Sequence, residues 1–334
     1  MMKDHYADNT MSNTTISRSS PGRLADPPSH FNLDNSLSEE LLKLNFNDRI
    51  AIEEEIHGVR CGAAEETPEL LERSLREFDS ELIARKKGDP ENRLLRNVIS
   101  ISSKAATTTT TTTSGSNCYL NNPSVRLRFL RCECFVVKKA VERFVNHLEF
   151  TSELFGDFVA ERPIRLTDFN TKREQAALQS SRNQYLPFRD RSGRRVLVGV
   201  GACAYDLDAV LRFKIIMYLH WVGTEDIETQ QKGIVMIVWP FNEGEDASWQ
   251  KSYRPEMNNK LRSFFEKLFK SMPVRMTSQH FCFEDTPFYR ALSALFFFGL
   301  DSHFRSIYKD HYGTYVVFLL FRFRKIYSDN LSLF

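Results

Sequence analysis

Residues 233–241, GIVMIVWPF, are apolar on both of the faces that a strand would present. A run of this kind fits a strand buried from both sides, as in a parallel sheet whose crossover connections lay helices against it. The flanking sequence agrees. Residues 194–204, RRVLVGVGACA, read as a strand introduced by the turn Asp190-Arg191-Ser192-Gly193, and residues 277–284, TSQHFCFE, read as a third strand. Residues 207–222 between the first two are an aliphatic helix, and residues 256–269 are an amphipathic helix broken at Met272-Pro273. A helical region over 287–310 contains Phe296-Phe297-Phe298. Strands alternating with helices predict an α/β domain with a mostly parallel sheet and flanking helices.

An all-helical segment is expected before it. Residues 1–36 are rich in Ser, Thr, Asn, Asp and Pro and predict a disordered leader. Residues 46–59 predict one short helix stopped at Gly58. Thr67-Pro68-Glu69 supplies an N-cap, a proline at the first helical position and an acid in the first turn. Leu71, Leu75, Phe78 and Leu82 then share a face until Gly88-Asp89-Pro90. Seven consecutive threonines within 102–116 mark an inserted low-complexity loop. From 123 to Gly156 the apolar positions Leu127, Leu130, Cys134, Val137, Val141, Phe144 and Leu148 predict one long helix. The expected organisation is a leader (1–36), a helical region (37–160), an α/β domain (161–314) and a divergent tail (315–334).

Composition excludes several classes. Lys and Arg number 45 against 43 Asp and Glu, so no global field favours nucleic acid. The six cysteines are scattered without a CxxC pair, which argues against structural zinc and for reduced thiols in a cytoplasmic setting. The N-terminus lacks an apolar signal core, and the longest apolar runs, 294–300 and 315–321, are too short to cross a membrane. Any membrane association is therefore expected to be peripheral. There are 27 phenylalanines against 11 tyrosines and 3 tryptophans, a bias toward aromatic surface without polar handles that fits a large core or an apolar cavity.

Several short motifs, in order, resemble the CRAL-TRIO (Sec14-like) lipid-binding family. They are Phe129-Leu130-Arg131 with Phe135 and Ala140; the turn from Asp190 through Gly193 and Arg194 to Val196; the glycine-led strand from Gly233; Met272-Pro273-Val274-Arg275-Met276; Thr286-Pro287 between Phe283 and Phe288; and Leu295 to Phe298 followed by Arg305-Ser306-Ile307. The resemblance spans about residues 123–314. The leader from Asn47 to Arg60 and the segment Glu66-Thr67-Pro68-Glu69-Leu70 also look like CRAL-TRIO-like proteins of diatoms. The resemblance implies a monomeric, non-enzymatic carrier of lipid or another hydrophobic molecule that exchanges its ligand with membranes through a mobile gate helix and needs no cofactor. The sequence departs from the family where the central strand meets Trp239-Pro240, where Val274 replaces a glutamate, and where Ser306 replaces a lysine. The last two positions contact inositol phosphate in family members, so phosphatidylinositol is not the expected ligand.

A carrier must hide acyl chains, and each buried methylene contributes about 0.8 kcal/mol. Val198, Val200, Ala202, Val235, Ile237, Phe281 and Phe283 are the candidate cavity lining. Phe288, Leu292, Leu295, Phe296, Phe297 and Phe298 are the candidate gate, although an aromatic stripe at helical spacing is more often plain core. Arg191, Arg194, Arg195 and Arg305 are candidate headgroup or membrane contacts. Two other readings remain. Gly199-Val200-Gly201-Ala202-Cys203-Ala204 after a strand, with Glu225 further on, outlines a dinucleotide fingerprint and an NAD-dependent oxidoreductase. A CRAL-TRIO shell without ligand that binds proteins is the other. His280, Cys282 and Glu284 alternate along one strand, but alternation against Phe281 and Phe283 explains them without a metal, and none is expected.

Overall fold

The computed structural model describes residues 39, 42–88, 119–179, 183–200, 208–239, 255–299 and 302–313. The helical N-terminal part comprises α1 (Phe46–Ile56), α2 (Pro68–Gly88), α3 (Pro123–Cys132) and α4 (Val137–Phe155). Asn45 caps α1 through its side chain on the Asp48 N–H, and Thr67 accepts from the Leu70 N–H at the start of α2. The long helix expected from 123 to 156 is instead two. Between α3 and α4, Cys134 and Phe135 adopt φ of +47° and +63°. The Phe135 N–H donates to the Leu130 carbonyl at 2.7 Å, which closes α3 in the manner of a left-handed C-cap. No glycine or proline announces this break. It is held by Arg143, whose guanidinium clasps Glu133 in the turn and donates to the Phe269 carbonyl at 2.7 Å.

The α/β part contains α5 (Lys172–Gln179), β1 (Asn183–Arg189), β2 (Arg195–Val200), α6 (Ala209–Gly223), α7 (Ile227–Lys232), β3 (Ile234–Trp239), α8 (Pro255–Ser271), β4 (Met276–Phe283), α9 (Pro287–Gly299), α10 (Ser302–Ser306) and β5 (Tyr308–Tyr312). The five strands lie in sequence order, with β1 antiparallel to β2 and the remaining pairs parallel. The chain is thus an α/β protein with a mostly parallel sheet and flanking helices, as its sequence indicates. Two strands were not expected. β1 carries Pro187, which suits only an edge strand. β5 occupies positions assigned to a helix, because Tyr308 is fully buried between Phe281 and Phe297 and its strand pairs with β4.

Strand order decides where the helices go. Parallel crossovers are right-handed. When each one advances to the next strand in the same direction, every crossover helix lands on the same face. The principal core shows this. Leu197, Ile234 and Met276 of the sheet pack with Phe213 and Met217 of α6, Phe264 and Leu268 of α8 and Phe304 of α10. Phe150 and Leu154 of α4 join the same cluster. The core therefore runs unbroken across the boundary expected near residue 160. A second cluster, with Phe78 and Leu82 of α2, Phe129 and Leu130 of α3, and Phe144 and Leu148 of α4, holds the helical part together.

Candidate functional site

The register assigns each strand residue to a face. Ile234, Met236 and Val238 of β3 point to the helices, so Val235, Ile237 and Trp239 point away from them. Across the parallel ladders Val196, Val198 and Val200 lie on that second face, as do Ser278, His280 and Cys282 of β4 and Lys309 and His311 of β5. The second face is apolar over β1 to β3. Leu186, Val196, Val198, Trp239 and Cys282 are buried there with Val200 and Ile237 beside them, and among the described residues this cluster contains side chains of the sheet alone. It turns polar over β4 and β5. His280 Nδ1 meets His311 Nε2 at 2.9 Å, and His280 Nε2 lies 3.2 Å from Ser278 Oγ. Burial, with His311, Arg194, His57 and Lys309 adding to it, holds the His280 imidazole down to about 4. Its side chain is therefore neutral at physiological pH.

The sequence-based lining divides accordingly. Val198, Val200, Val235 and Ile237 share the second face. Phe281 and Phe283 do not. They pair with Val238 and Tyr312 on the helix face, where Phe281 stacks on Tyr308 with ring centroids 5.0 Å apart. The physical reason is the period of two along β4, which sends its phenylalanines to the face opposite His280 and Cys282. Ala202 lies outside the described residues. Leu186, Val196, Trp239 and Cys282 join the face although they were not among the expected lining. Alternation out from Val198 and Ile237 points to Val196 and Trp239, whereas Leu186 required knowledge of β1.

The expected gate is helical, as α9, and packs on the helix face, on the opposite side of the sheet from the valines. Phe297 is 1% exposed and sits edge-on to Tyr308 at 5.8 Å. Ser293 on the same helix is also buried. Its hydroxyl is 2.8 Å from the Tyr308 hydroxyl and donates to Asp310 at 3.2 Å. These contacts place Phe297 in the core. The side chains of Phe288, Leu292, Leu295, Phe296 and Phe298 lie outside the described ones.

The arginine turn is a clamp, and it buries Arg194, one of the four expected headgroup contacts, while Arg191 stays exposed and Arg195 and Arg305 half-buried. Asp190 accepts from the Ser192 and Arg194 backbone N–H groups, and Gly193 supplies the φ of +83° that the turn needs. Arg194 is 2% exposed. It donates to Asp190 at 2.7 Å, to Thr277 at 3.2 Å, and to the carbonyls of Glu55 and Ile56. Arg191 donates to the carbonyls of His57 and Gly58. Two arginines thus satisfy the orphan carbonyls at the C-terminus of α1, where cations are favoured. Burial raises the Asp190 carboxyl, but the hydrogen bonds and charge of Arg194 together bring it below its usual value. Arg195 pairs with Asp226 at 3.3 Å and covers the Tyr185 ring, and Arg305 lies over the Phe297 ring at 5.9 Å. Further ties bind α1 to the sheet: Glu55 to Arg275 at 2.6 Å and Glu53 to Lys309 at 3.1 Å.

Val274 is 2% exposed within the principal core, so it has no access to a ligand. Gly201 to Ala204 of the dinucleotide pattern lie outside the described residues. Glu225 follows α6 in a loop, its N–H donating to the Val222 carbonyl. The five described strands never reverse their order, so they offer no switch-point crevice of the kind that seats a dinucleotide. Among the described residues, no three His, Cys, Asp or Glu side chains are arranged to hold a metal ion, and no helix is long and apolar enough to cross a membrane. No family model matches the chain, and no curated protein matches it.

Proposed function

We propose that the chain is a non-enzymatic carrier of a lipid or similar hydrophobic molecule, of the CRAL-TRIO (Sec14-like) kind, which meets membranes peripherally from the cytoplasmic side. One observation carries this reading: among the described residues the crossover helices cover one face of the sheet, while Val196, Val198, Val200, Val235, Ile237 and Trp239 make the other face apolar, and the cluster on that face holds sheet side chains alone. A largely parallel sheet is stable when both faces are covered. Val196, Val198 and Val235 are already shielded from water, so the gain on binding comes from the ligand's own apolar surface, about 25 cal/mol for each Å² removed from water. The ligand floor in this reading is the valine face, and the packed helix α9 stands on the reverse side.

The test is mass spectrometry of an organic extract of the purified chain, beside transfer of a fluorescent lipid between liposomes. The expected result is a copurified apolar molecule, and transfer that falls when the half-buried Ile237 is changed to Asn while the melting temperature holds. An empty extract together with no transfer overturns the proposal and favours a scaffold that binds proteins.

A further inference from the structure

Cys61 and Cys134 take no part in the core or in the valine face. Cys61 lies in the loop between α1 and α2, and Cys134 occupies the left-handed turn between α3 and α4. Cys61 Sγ is 3.4 Å from Arg275 Nη2 and 3.8 Å from the Lys232 carbonyl. Cys134 Sγ is 3.8 Å from the carbonyl of Gly62, the residue after Cys61. Arg275 acts electrostatically on both sulfurs, and the two sulfurs act on each other. Cys134 is exposed and Cys61 half-buried, so both are open to a small solute. Cys132 and Cys282 are buried, and burial pushes both thiols up to about 12, which keeps them inert.

We propose that Cys61 and Cys134 form a hydroperoxide-sensitive thiol pair, with Cys61 the attacking sulfur and Cys134 the resolving one. The Arg275 guanidinium lies 3.4 Å from the Cys61 sulfur, closer than any cation to Cys134 Sγ among the described contacts, and also pairs with Glu55 at 2.6 Å. Although Cys134 is exposed at the surface, desolvation by the atoms packed around its turn raises its thiol, which suits the group that waits protonated. In the first step the Cys61 thiolate attacks the terminal oxygen of a hydroperoxide. The O–O bond breaks, an alkoxide leaves and takes a proton, and Cys61 becomes a sulfenic acid. The Cys134 thiol then gives up its proton and its sulfur attacks that of Cys61. The S–O bond breaks, water leaves, and a disulfide remains. One hydroperoxide is reduced to an alcohol and water while two thiols are oxidised. The bridge ties the loop after α1 to the α3–α4 turn.

The experiment treats the full chain with hydrogen peroxide, caps free thiols and maps peptides without reduction. The expected product joins the peptides of Cys61 and Cys134. In the Cys134→Ser chain, sulfenic acid accumulates at Cys61 and is trapped by dimedone. In the Cys61→Ser chain, peroxide consumption falls about tenfold or more, because the thiol beside the guanidinium is gone. The same map in a Cys118→Ser, Cys203→Ser background excludes those thiols as the source of the product. A bridge to any other cysteine, or an unchanged rate in Cys61→Ser, overturns the proposal.

Discussion

Replacing Phe297 by alanine separates a packed helix from a mobile lid. The ring is 1% exposed, lies edge-on to Tyr308 at 5.8 Å and is covered by the Arg305 guanidinium at 5.9 Å. Its neighbour one turn back, Ser293, is held to Tyr308 at 2.8 Å, so α9 is fixed to β5 and has little room to collapse into a void. Truncating a buried phenylalanine under such conditions costs about 3–5 kcal/mol. At roughly 2–4 °C per kcal/mol for a domain of this size, the midpoint should fall by about 10 °C. The assay is a thermal melt with urea unfolding beside it, and the midpoint should move while the urea slope stays constant. A lid residue would behave otherwise, because its burial is divided between closed protein and membrane. A midpoint lowered by less than about 3 °C, with lipid transfer lost, would refute the assignment of Phe297 to the core.

Four further outcomes are expected. Ser293→Ala leaves the buried Tyr308 hydroxyl without its partner and should cost about 1–3 kcal/mol in urea unfolding; a neutral result would show that the hydroxyl finds another acceptor. Gly233→Ala should destabilise by about 1–3 kcal/mol, since Gly233 has φ of +81° and an added Cβ would lie 2.5 Å from the Arg275 carbonyl oxygen; a normal melt would contradict that approach. Arg194→Met strips the clamp from the α1 carbonyls and leaves the Asp190 carboxylate without its countercharge, at a cost of about 3–5 kcal/mol; limited proteolysis should then cut near α1 first, and uniform cleavage would refute the clamp. Burial holds His147 down to about 3 and His220 down to about 4, so both are neutral when folded and protonate first in the unfolded chain. Their folded values are depressed, so stability is intact above about pH 6.5 and falls as pH drops toward 4, by about 1.4 kcal/mol per group per pH unit. Urea midpoints at pH 7 and pH 5 test this, and His147→Gln should flatten the slope.

The chain's local sequence carried its α/β class. The run 233–241, apolar throughout, declared a covered strand, and β3 is that strand. The proline and acid after Thr67 and the glycines at 58, 88 and 156 set helix limits that hold to within a residue or two, because caps act over a single turn. The alternation of His280 and Cys282 with Phe281 and Phe283 was likewise readable, being a property of the strand backbone. Tertiary structure decided the rest. Which face of β4 meets the helices depends on strand order and on the register shift between β3 and β4, and neither is local. That is why two phenylalanines expected beside the valines lie behind them. The α3–α4 break is held by Arg143 reaching α8 and the residue after it from another helix, and β5 exists because Tyr308 has a slot between Phe281 and Phe297. The partners of Arg191, Arg194 and Arg195 were not readable, because charge is visible in sequence and its partners are not. Asp190, Asp226 and the end of α1 are brought to them only by the fold.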